Sequence, residues 1–227
     1  MSVLQSRLAE IRERIARAAE RSGREAEAVT LLAVSKRVSV IHLQEVVEAG
    51  QILFGENYLQ EAADKIAALP GVGWHFIGGI QSNKTRQIAE LFQVVETLDR
   101  LKVAQALEHQ LASLDKTMLV YAQVNIGREP QKSGVLPEHI DELVAGIEHC
   151  PHLRLAGLMA MPPYHPDPEA SRPFFRQMKA LANDLQHRGV IARPLGLSMG
   201  MSADFEIAIE EGATLVRVGT ALFGGRG

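Results

Sequence analysis

Short apolar runs alternate with longer amphipathic segments along almost the whole chain. The apolar runs predict buried strands, whereas apolar positions spaced three and four residues apart predict helices that bury one face. The predicted strands cover residues 30–34, 51–54, 74–77, 93–97, 118–125, 155–159, 194–198 and 214–218. Helical patterns separate them, for example over 41–49, 58–69, 100–114, 137–149 and 169–188, and again from about 202 to 212.

Several of the helical segments stop at a glycine just before the next strand, at Gly50, Gly189 and Gly212. Glycine readily adopts the left-handed conformation that ends a helix in such turns. Strand-then-helix units with apolar strands predict a parallel α/β sheet covered by helices. Repetition of this unit eight times favours a closed (β/α)8 TIM-like barrel, and the 227 residues come close to the usual length. An open doubly wound sheet is the alternative, because the pattern alone does not show closure.

A helical pattern also precedes the first strand, and its apolar face consists of Leu4, Leu8, Ile11 and Ile15. We expect this extra N-terminal helix to pack on the barrel. The proline-rich stretch 161–170 fits a long loop after the sixth strand better than a domain boundary. The sequence therefore predicts a single domain over residues 1–227.

Composition and charge exclude several classes of function. The formal net charge is −3 with both signs interspersed, so neither a nucleic-acid footprint nor a membrane-binding patch is expected. No apolar run reaches the ~20 residues of a membrane span. The single cysteine, Cys150, rules out an intrachain disulfide and suits a reducing cytoplasm. Glu10, Glu13 and Glu20 argue against a transit peptide, so we expect a cytoplasmic protein.

Polar residues follow several of the predicted strands directly: Lys36, Asn57, Asn125 and Ser198. In a (β/α)8 barrel the carboxyl ends of the strands form one face, and that face carries the functional site. We therefore expect these side chains to surround a common site.

Glycines, hydroxyls and a helix start come together in the last quarter of the chain, LSMGMSADFEIAIEEGATLVRVGTALFG. Backbone N–H groups and hydroxyls at Ser202, Gly219 and Thr220 are the kind of groups that bind a phosphate. Loops after the seventh and eighth strands often hold the phosphate in such barrels. The hydroxyl of Ser202 has a second interpretation, as a helix N-cap.

Lys36 follows the apolar run LLAVS. An amine at the mouth of an apolar barrel is partly desolvated, which favours a neutral and nucleophilic form. Together with a phosphate site this predicts an aldehyde that carries a phosphate, and pyridoxal 5′-phosphate (PLP) is the common cofactor of that kind. The alternative is a lysine that simply extends from the strand end into solvent.

Arg217 is the one charged residue in the apolar strand ATLVRVG. A buried guanidinium is costly unless it has a partner. Arg217 is either an ion-paired structural residue inside the barrel or a neighbour of the PLP ring nitrogen. In the second case it would keep that nitrogen unprotonated and so weaken the ring as an electron sink.

The histidines offer weaker candidates. His75 lies on the third predicted strand and fits a hydrogen-bonded core histidine better than a catalytic base. His149, Cys150 and His152 are close in sequence but span a helix end before Pro151. We therefore expect no metal site there.

Long motifs carry a family resemblance along nearly the whole chain: LLAVSK (31–36), FGENYLQEA (54–62), WHFIGGIQSNK (74–84), VNIGREPQKSG (124–134), GLMAM (157–161) and the segment 197–224. By these motifs the sequence resembles the pyridoxal phosphate homeostasis protein family. It departs from that family at Gly79-Ile80, where Pro-Leu is usual, and at Ala203, where an aspartate often follows the serine.

The resemblance implies a barrel like the N-terminal domain of bacterial alanine racemase. It implies a Schiff base between PLP and Lys36, with Asn57 near the ring and Arg217 facing the pyridine nitrogen. The phosphate would be held by Ser202, Gly219 and Thr220, with Ser198 close by.

The function implied is PLP binding without turnover, in the homeostasis of vitamin B6 and of amino acids. PLP-dependent apoenzymes are the expected partners, and we expect a monomer. An amino-acid racemase is the alternative, but it needs a second acid or base opposite Lys36, and we expect no second domain to supply one. A Schiff-base aldolase without PLP would leave Arg217 unexplained.

Overall fold

Eight parallel strands close into a barrel in the computed structural model, which describes residues 2–225. Neighbouring strands pair in chain order, and β1 also pairs with β8, where Leu32 lies opposite Arg217. The strands are β1 (Thr30–Val34), β2 (Leu53–Glu56), β3 (Gly73–Phe76), β4 (Val94–Leu98), β5 (Met118–Val124), β6 (Leu153–Ala160), β7 (Gly196–Met201) and β8 (Leu215–Val218). The predicted (β/α)8 barrel is confirmed, and the open sheet is wrong.

Helices cover the outside of the barrel and bury their apolar faces on the strands. They are α1 (Val3–Arg21), α2 (Val40–Glu48), α3 (Leu59–Ala68), α4 (Thr85–Leu91), α5 (Leu101–Leu114), α6 (Ile140–Glu148), α7 (Arg172–His187), α8 (Phe205–Glu210) and α9 (Thr220–Phe223). The predicted glycine stops are confirmed, because Gly50, Gly189 and Gly212 have φ values of 84°, 71° and 99°.

The N-terminal helix α1 is capped at its start and anchored on the barrel by its predicted apolar face. Ser2 and Gln5 form a reciprocal capping box, which satisfies two backbone N–H groups at the helix end. The same helix also contacts α8, where the Arg14 guanidinium lies 4.7 Å from the centre of the Phe205 ring. The residues Leu4, Leu8, Ile11 and Ile15 are all buried, as predicted.

The turn between β7 and α8 differs from the prediction. The strand continues to Met201, three residues beyond its predicted end, and the helix begins at Phe205 instead of near Ser202. Gly200 has a φ of 91°, and a Cβ there would lie 2.5 Å from the Cβ of Ala208. Asp204 then closes the turn, since its Oδ1 accepts the N–H of Met201 at 2.8 Å. Local hydrogen bonding therefore delays the helix.

Candidate functional site

The first and last strands bring Lys36 and the segment Gly219-Thr220 to one cavity at the carboxyl end of the barrel. Lys36 lies two residues beyond β1, whereas Gly219 and Thr220 follow β8 directly. Because β1 and β8 are hydrogen-bonded neighbours, their ends lie side by side. The cavity has a volume of about 470 Å³, within the usual range for small-molecule sites.

Ser202 lies beside this cavity and binds the backbone at Gly219, which lines it. Its Oγ accepts hydrogen bonds from the N–H groups of Gly219 and Ala221, each at 3.2 Å. Ser202 is therefore not the N-cap of α8, a position that Asp204 occupies. Since the oxygen accepts, the hydroxyl proton of Ser202 remains available to donate to an anion. The N–H of Thr220, as the first residue of α9, has no acceptor within that helix.

Asn57 lies at the end of β2, on the wall of a neighbouring cavity of about 740 Å³. Tyr58 lines both this cavity and the one that contains Lys36. Among the described residues no donor reaches the buried Oδ1 of Asn57. Gly78 allows the close approach of the next strand end, because a Cβ there would lie 2.2 Å from the Asn57 carbonyl oxygen. Asn57 thus offers an unused acceptor close to the site.

Ser198 and Arg217 lie inside the barrel and do not line the Lys36 cavity. The Arg217 Nη1 donates to Ser198 Oγ at 2.5 Å, and Nη2 donates to the carbonyl oxygen of Ala160 at 2.9 Å. Ser198 in turn donates to Glu96 Oε2 at 2.5 Å, and this carboxylate lies 3.9 Å from the guanidinium. Burial lowers the pKa of Arg217, and the charges of Glu96 and Asp204 act in the opposite direction.

Glu96 is an important residue that was not predicted from the sequence. It is fully buried on β4. Its Oε2 accepts the hydrogen bond from Ser198 on β7, and its Oε1 lies 2.5 Å from His75 Nδ1 on β3, so it links these three strands. His75 is therefore a hydrogen-bonded interior histidine, as predicted. Arg217 was singled out because it is a charged residue in an apolar strand. Glu96 in VVETL shows the same pattern and could have been found in the same way. Burial, followed by the charge of Glu96, raises the pKa of Tyr121 to about 12.

Other predicted candidates have local roles. Asn125 turns back onto its own loop, where its side chain bonds the backbone N–H and carbonyl of Glu129 at 3.1 and 2.9 Å. His149 Nδ1 lies 2.7 Å from the carbonyl oxygen of Ala145, and His152 Nδ1 lies 2.6 Å from Glu108. Within residues 2–225 no group of three or more His, Cys, Asp or Glu side chains is arranged to hold a metal ion.

The side chains that line the Lys36 cavity without having been predicted include Arg37, His42 and Phe223. They come from the loop after β1, from α2 and from α9, so sequence spacing alone does not group them. Over the part of the chain that the structure describes, every helix is too short or too polar to cross a membrane.

Comparisons with known proteins agree with this architecture. Residues 6–227 match the family model "Alanine racemase, N-terminal domain". The chain is 46% identical to the pyridoxal phosphate homeostasis protein of Pseudomonas aeruginosa, over 100% of this chain and 97% of that protein. It is 44% identical to the protein of the same name from Escherichia coli K12, over 100% and 98% of the two chains.

A solved structure provides the same comparison in three dimensions. The structure of PipY from Synechococcus elongatus with PLP bound has a TM-score of 0.85 and 32% sequence identity, and the match covers 97% of this chain and 100% of PipY. The chain belongs to the family of pyridoxal phosphate homeostasis proteins, and its barrel is an alanine racemase N-terminal domain.

Proposed function

We propose that this protein binds PLP as a Schiff base on Lys36 and acts in the homeostasis of vitamin B6 and amino acids without turnover of its own. The observation that carries the proposal is the single cavity that joins the Lys36 amine to the backbone at Gly219 and Thr220. An amine and an anion site in one cavity suit an aldehyde that carries a phosphate.

The residues around the cavity fit PLP chemically. The N–H of Thr220 and the hydroxyl proton of Ser202 are donors for phosphate oxygens. The buried Oδ1 of Asn57 is an acceptor for the ring hydroxyl of PLP. When bound, PLP supplies an electrophilic aldehyde, and Lys36 supplies the amine that condenses with it.

For Arg217 we propose that it would supply a fixed positive charge to the PLP ring nitrogen from the barrel interior, although it does not line the Lys36 cavity itself. Ser198 and the Ala160 carbonyl hold its guanidinium in place. Arg217 itself lies on β8, two residues before Gly219. A donor at this position keeps the ring nitrogen unprotonated, and an unprotonated ring withdraws electrons weakly. This supports binding of PLP without amino-acid chemistry.

The Lys36→Ala variant tests the assignment of the lysine. We expect it to lose the Schiff-base absorbance while equilibrium dialysis still detects PLP held through its phosphate. Lys102→Ala is the matched control, because Lys102 is exposed on α5 and lines neither cavity. An unchanged Schiff-base spectrum in Lys36→Ala would refute the assignment.

The absence of turnover is tested by hydrogen exchange. The PLP-loaded protein is incubated with L-amino acids in deuterated water, and mass spectrometry follows exchange at the α-carbon, with free PLP as the control. Exchange no faster than free PLP supports a carrier. Fast exchange that depends on Lys36 would instead make the protein a racemase-like enzyme.

The names of the relatives from P. aeruginosa and E. coli and the PLP bound to PipY support the cofactor and the homeostatic role. We further propose that residues 1–227 act as one cytoplasmic domain, monomeric in solution, that transfers PLP to PLP-dependent apoenzymes. Light scattering of the loaded protein at micromolar concentration tests the monomer, and a dimer mass would contradict it.

A further inference from the structure

An ion pair on α3 holds the backbone on both sides of Lys36. The Lys65 Nζ donates to the carbonyl oxygen of Ser35 at 2.6 Å and to Glu61 Oε1 at 2.6 Å. The same Glu61 Oε1 accepts the N–H of Arg37 at 2.5 Å. Both peptide groups that flank Lys36 are therefore bound by Glu61 and Lys65.

The backbone at this point has a conformation that needs support. Arg37 has a φ of 62°, in the left-handed region that residues other than glycine, asparagine and aspartate seldom occupy. Such a conformation persists only where neighbouring contacts hold it, and it is concentrated at functional sites. At Arg37 the contact to the backbone N–H comes from Glu61.

The cluster is also costly to bury. Lys65 is 4% exposed and Glu56 is fully buried, with 2.7 Å between Lys65 Nζ and Glu56 Oε1. Burial raises the pKa of Glu56, while the hydrogen bonds from Lys65 and Ser35 act in the opposite direction. Buried ion pairs of this kind contribute little net stability compared with apolar packing. Stability alone is therefore a weak reason for this arrangement.

We propose that Glu61 and Lys65 are positioning residues, and that their ion pair directs the Lys36 amine into the cavity for reaction with an aldehyde. The inference rests on the proposed function, since it assumes that Lys36 is the reacting lysine. In that reaction the neutral amine adds to the aldehyde carbon. Two hydrogens from nitrogen then leave with the carbonyl oxygen as water, and a C=N bond remains.

Glu61→Ala is the first test, because Glu61 is partly exposed and its loss leaves Lys65 paired with Glu56. We expect the rate of Schiff-base formation, measured by stopped-flow absorbance after mixing apoprotein with PLP, to fall between about tenfold and a hundredfold. Binding of pyridoxine 5′-phosphate, which has an alcohol in place of the aldehyde, should stay within about twofold, since this probe does not need Lys36.

Conservative variants and an apoprotein measurement separate positioning from folding. Glu61→Gln retains an acceptor for the Arg37 N–H, and Lys65→Arg retains the positive charge. Each should therefore form the Schiff base faster than the alanine variant at the same position. Asp64→Ala, an exposed charge on the same helix, is the matched control and should react like the wild type. Acetylation of Lys36 in the apoprotein, followed by mass spectrometry, should slow in Glu61→Ala and not in Asp64→Ala.

Two outcomes would overturn the positioning role. One is wild-type rates of Schiff-base formation and of Lys36 acetylation in Glu61→Ala. The other is an equal loss of pyridoxine 5′-phosphate binding, which would indicate general damage to the cavity. Failure of the proposed function is recognised separately, because Lys36→Ala would then keep the Schiff-base spectrum.

Discussion

Glu96→Gln should destabilise the barrel strongly although it changes only one charge. Glu96 is fully buried, and its carboxylate is the nearest opposite charge to the buried Arg217 guanidinium, at 3.9 Å. The substitution preserves the shape of the side chain. It removes the charge, and it places an NH2 group opposite either Ser198 or His75, so one of the present contacts loses its acceptor.

The expected magnitude follows from the distance. Two unit charges 3.9 Å apart attract each other by about 4 kcal/mol at an effective dielectric constant of about 20. Removing one partner of a buried pair typically costs about 3–5 kcal/mol, because the other charge stays buried. We therefore expect the free energy of unfolding to fall by about 3–4 kcal/mol in Glu96→Gln.

Urea unfolding followed by circular dichroism measures this change. The apoprotein is used without phosphate, because any ligand that binds the folded state adds stability. Glu138→Gln is the matched control, since the pair of Glu138 with Arg128 is at the surface, and we expect no measurable change there. The double variant Glu96→Gln/Arg217→Met should be more stable than additivity of the two single variants allows.

If the free energy of unfolding of Glu96→Gln falls by less than about 1 kcal/mol, the reasoning is refuted, because the buried pair of Glu96 and Arg217 would then contribute no more than a surface pair. Strict additivity in the double variant would refute it as well. In that case the cost of each substitution would come from its own packing, and Glu96 would not be the partner of Arg217.

Three further predictions concern other parts of the site. Ser202→Ala removes the acceptor shared by the N–H groups of Gly219 and Ala221, so the free energy of unfolding in urea should fall by about 1–2 kcal/mol. Calorimetry should also show weaker binding of inorganic phosphate to this variant. Wild-type values in both measurements would contradict the prediction. An ultraviolet titration should show one tyrosine that ionises only near pH 12 and disappears in Tyr121→Phe, and ionisation of all tyrosines together near pH 10 would be inconsistent with a buried phenol. The folded-state pKa of Glu56 is raised above 4.5, so its contribution to stability is present at lower pH and is lost as the pH rises through that pKa. The free energy of unfolding of the wild type, measured against that of Glu56→Gln, should therefore decline with rising pH, and an increase would be contrary evidence.

Much of the fold could be predicted because apolar periodicity and glycine stops are local properties of the chain. The alternation of strands and helices, the face of α1 and the strand ends that carry Lys36 and Gly219 all follow from such local patterns. The boundary between β7 and α8 was wrong by about three residues, because the turn depends on a hydrogen bond from Met201 to Asp204 that helical periodicity does not report.

The pairing of side chains could not be predicted in the same way. Arg217 stood out as a charge in an apolar strand, but its partners Glu96 and Ser198 lie on β4 and β7. Nothing in the sequence links a single charge on one strand to a single charge on another. Similarly, Glu61 lies in the motif FGENYLQEA and Lys65 follows it by three residues, yet their contacts with the backbone around Lys36 depend on how α3 packs.

The sequence by itself determined the order of elements, the parallel sheet and the set of polar residues at strand ends, since each depends on local patterns and on the geometry of a β-then-α unit. Only the tertiary structure decided which of these residues meet. Closure of the barrel joins β1 to β8 and places Lys36 beside Gly219 and Thr220, whereas Ser198 and Arg217 turn inward to Glu96. The physical reason is that a buried charge needs an opposite charge close by, and that partner is chosen by position in space, not by distance along the chain.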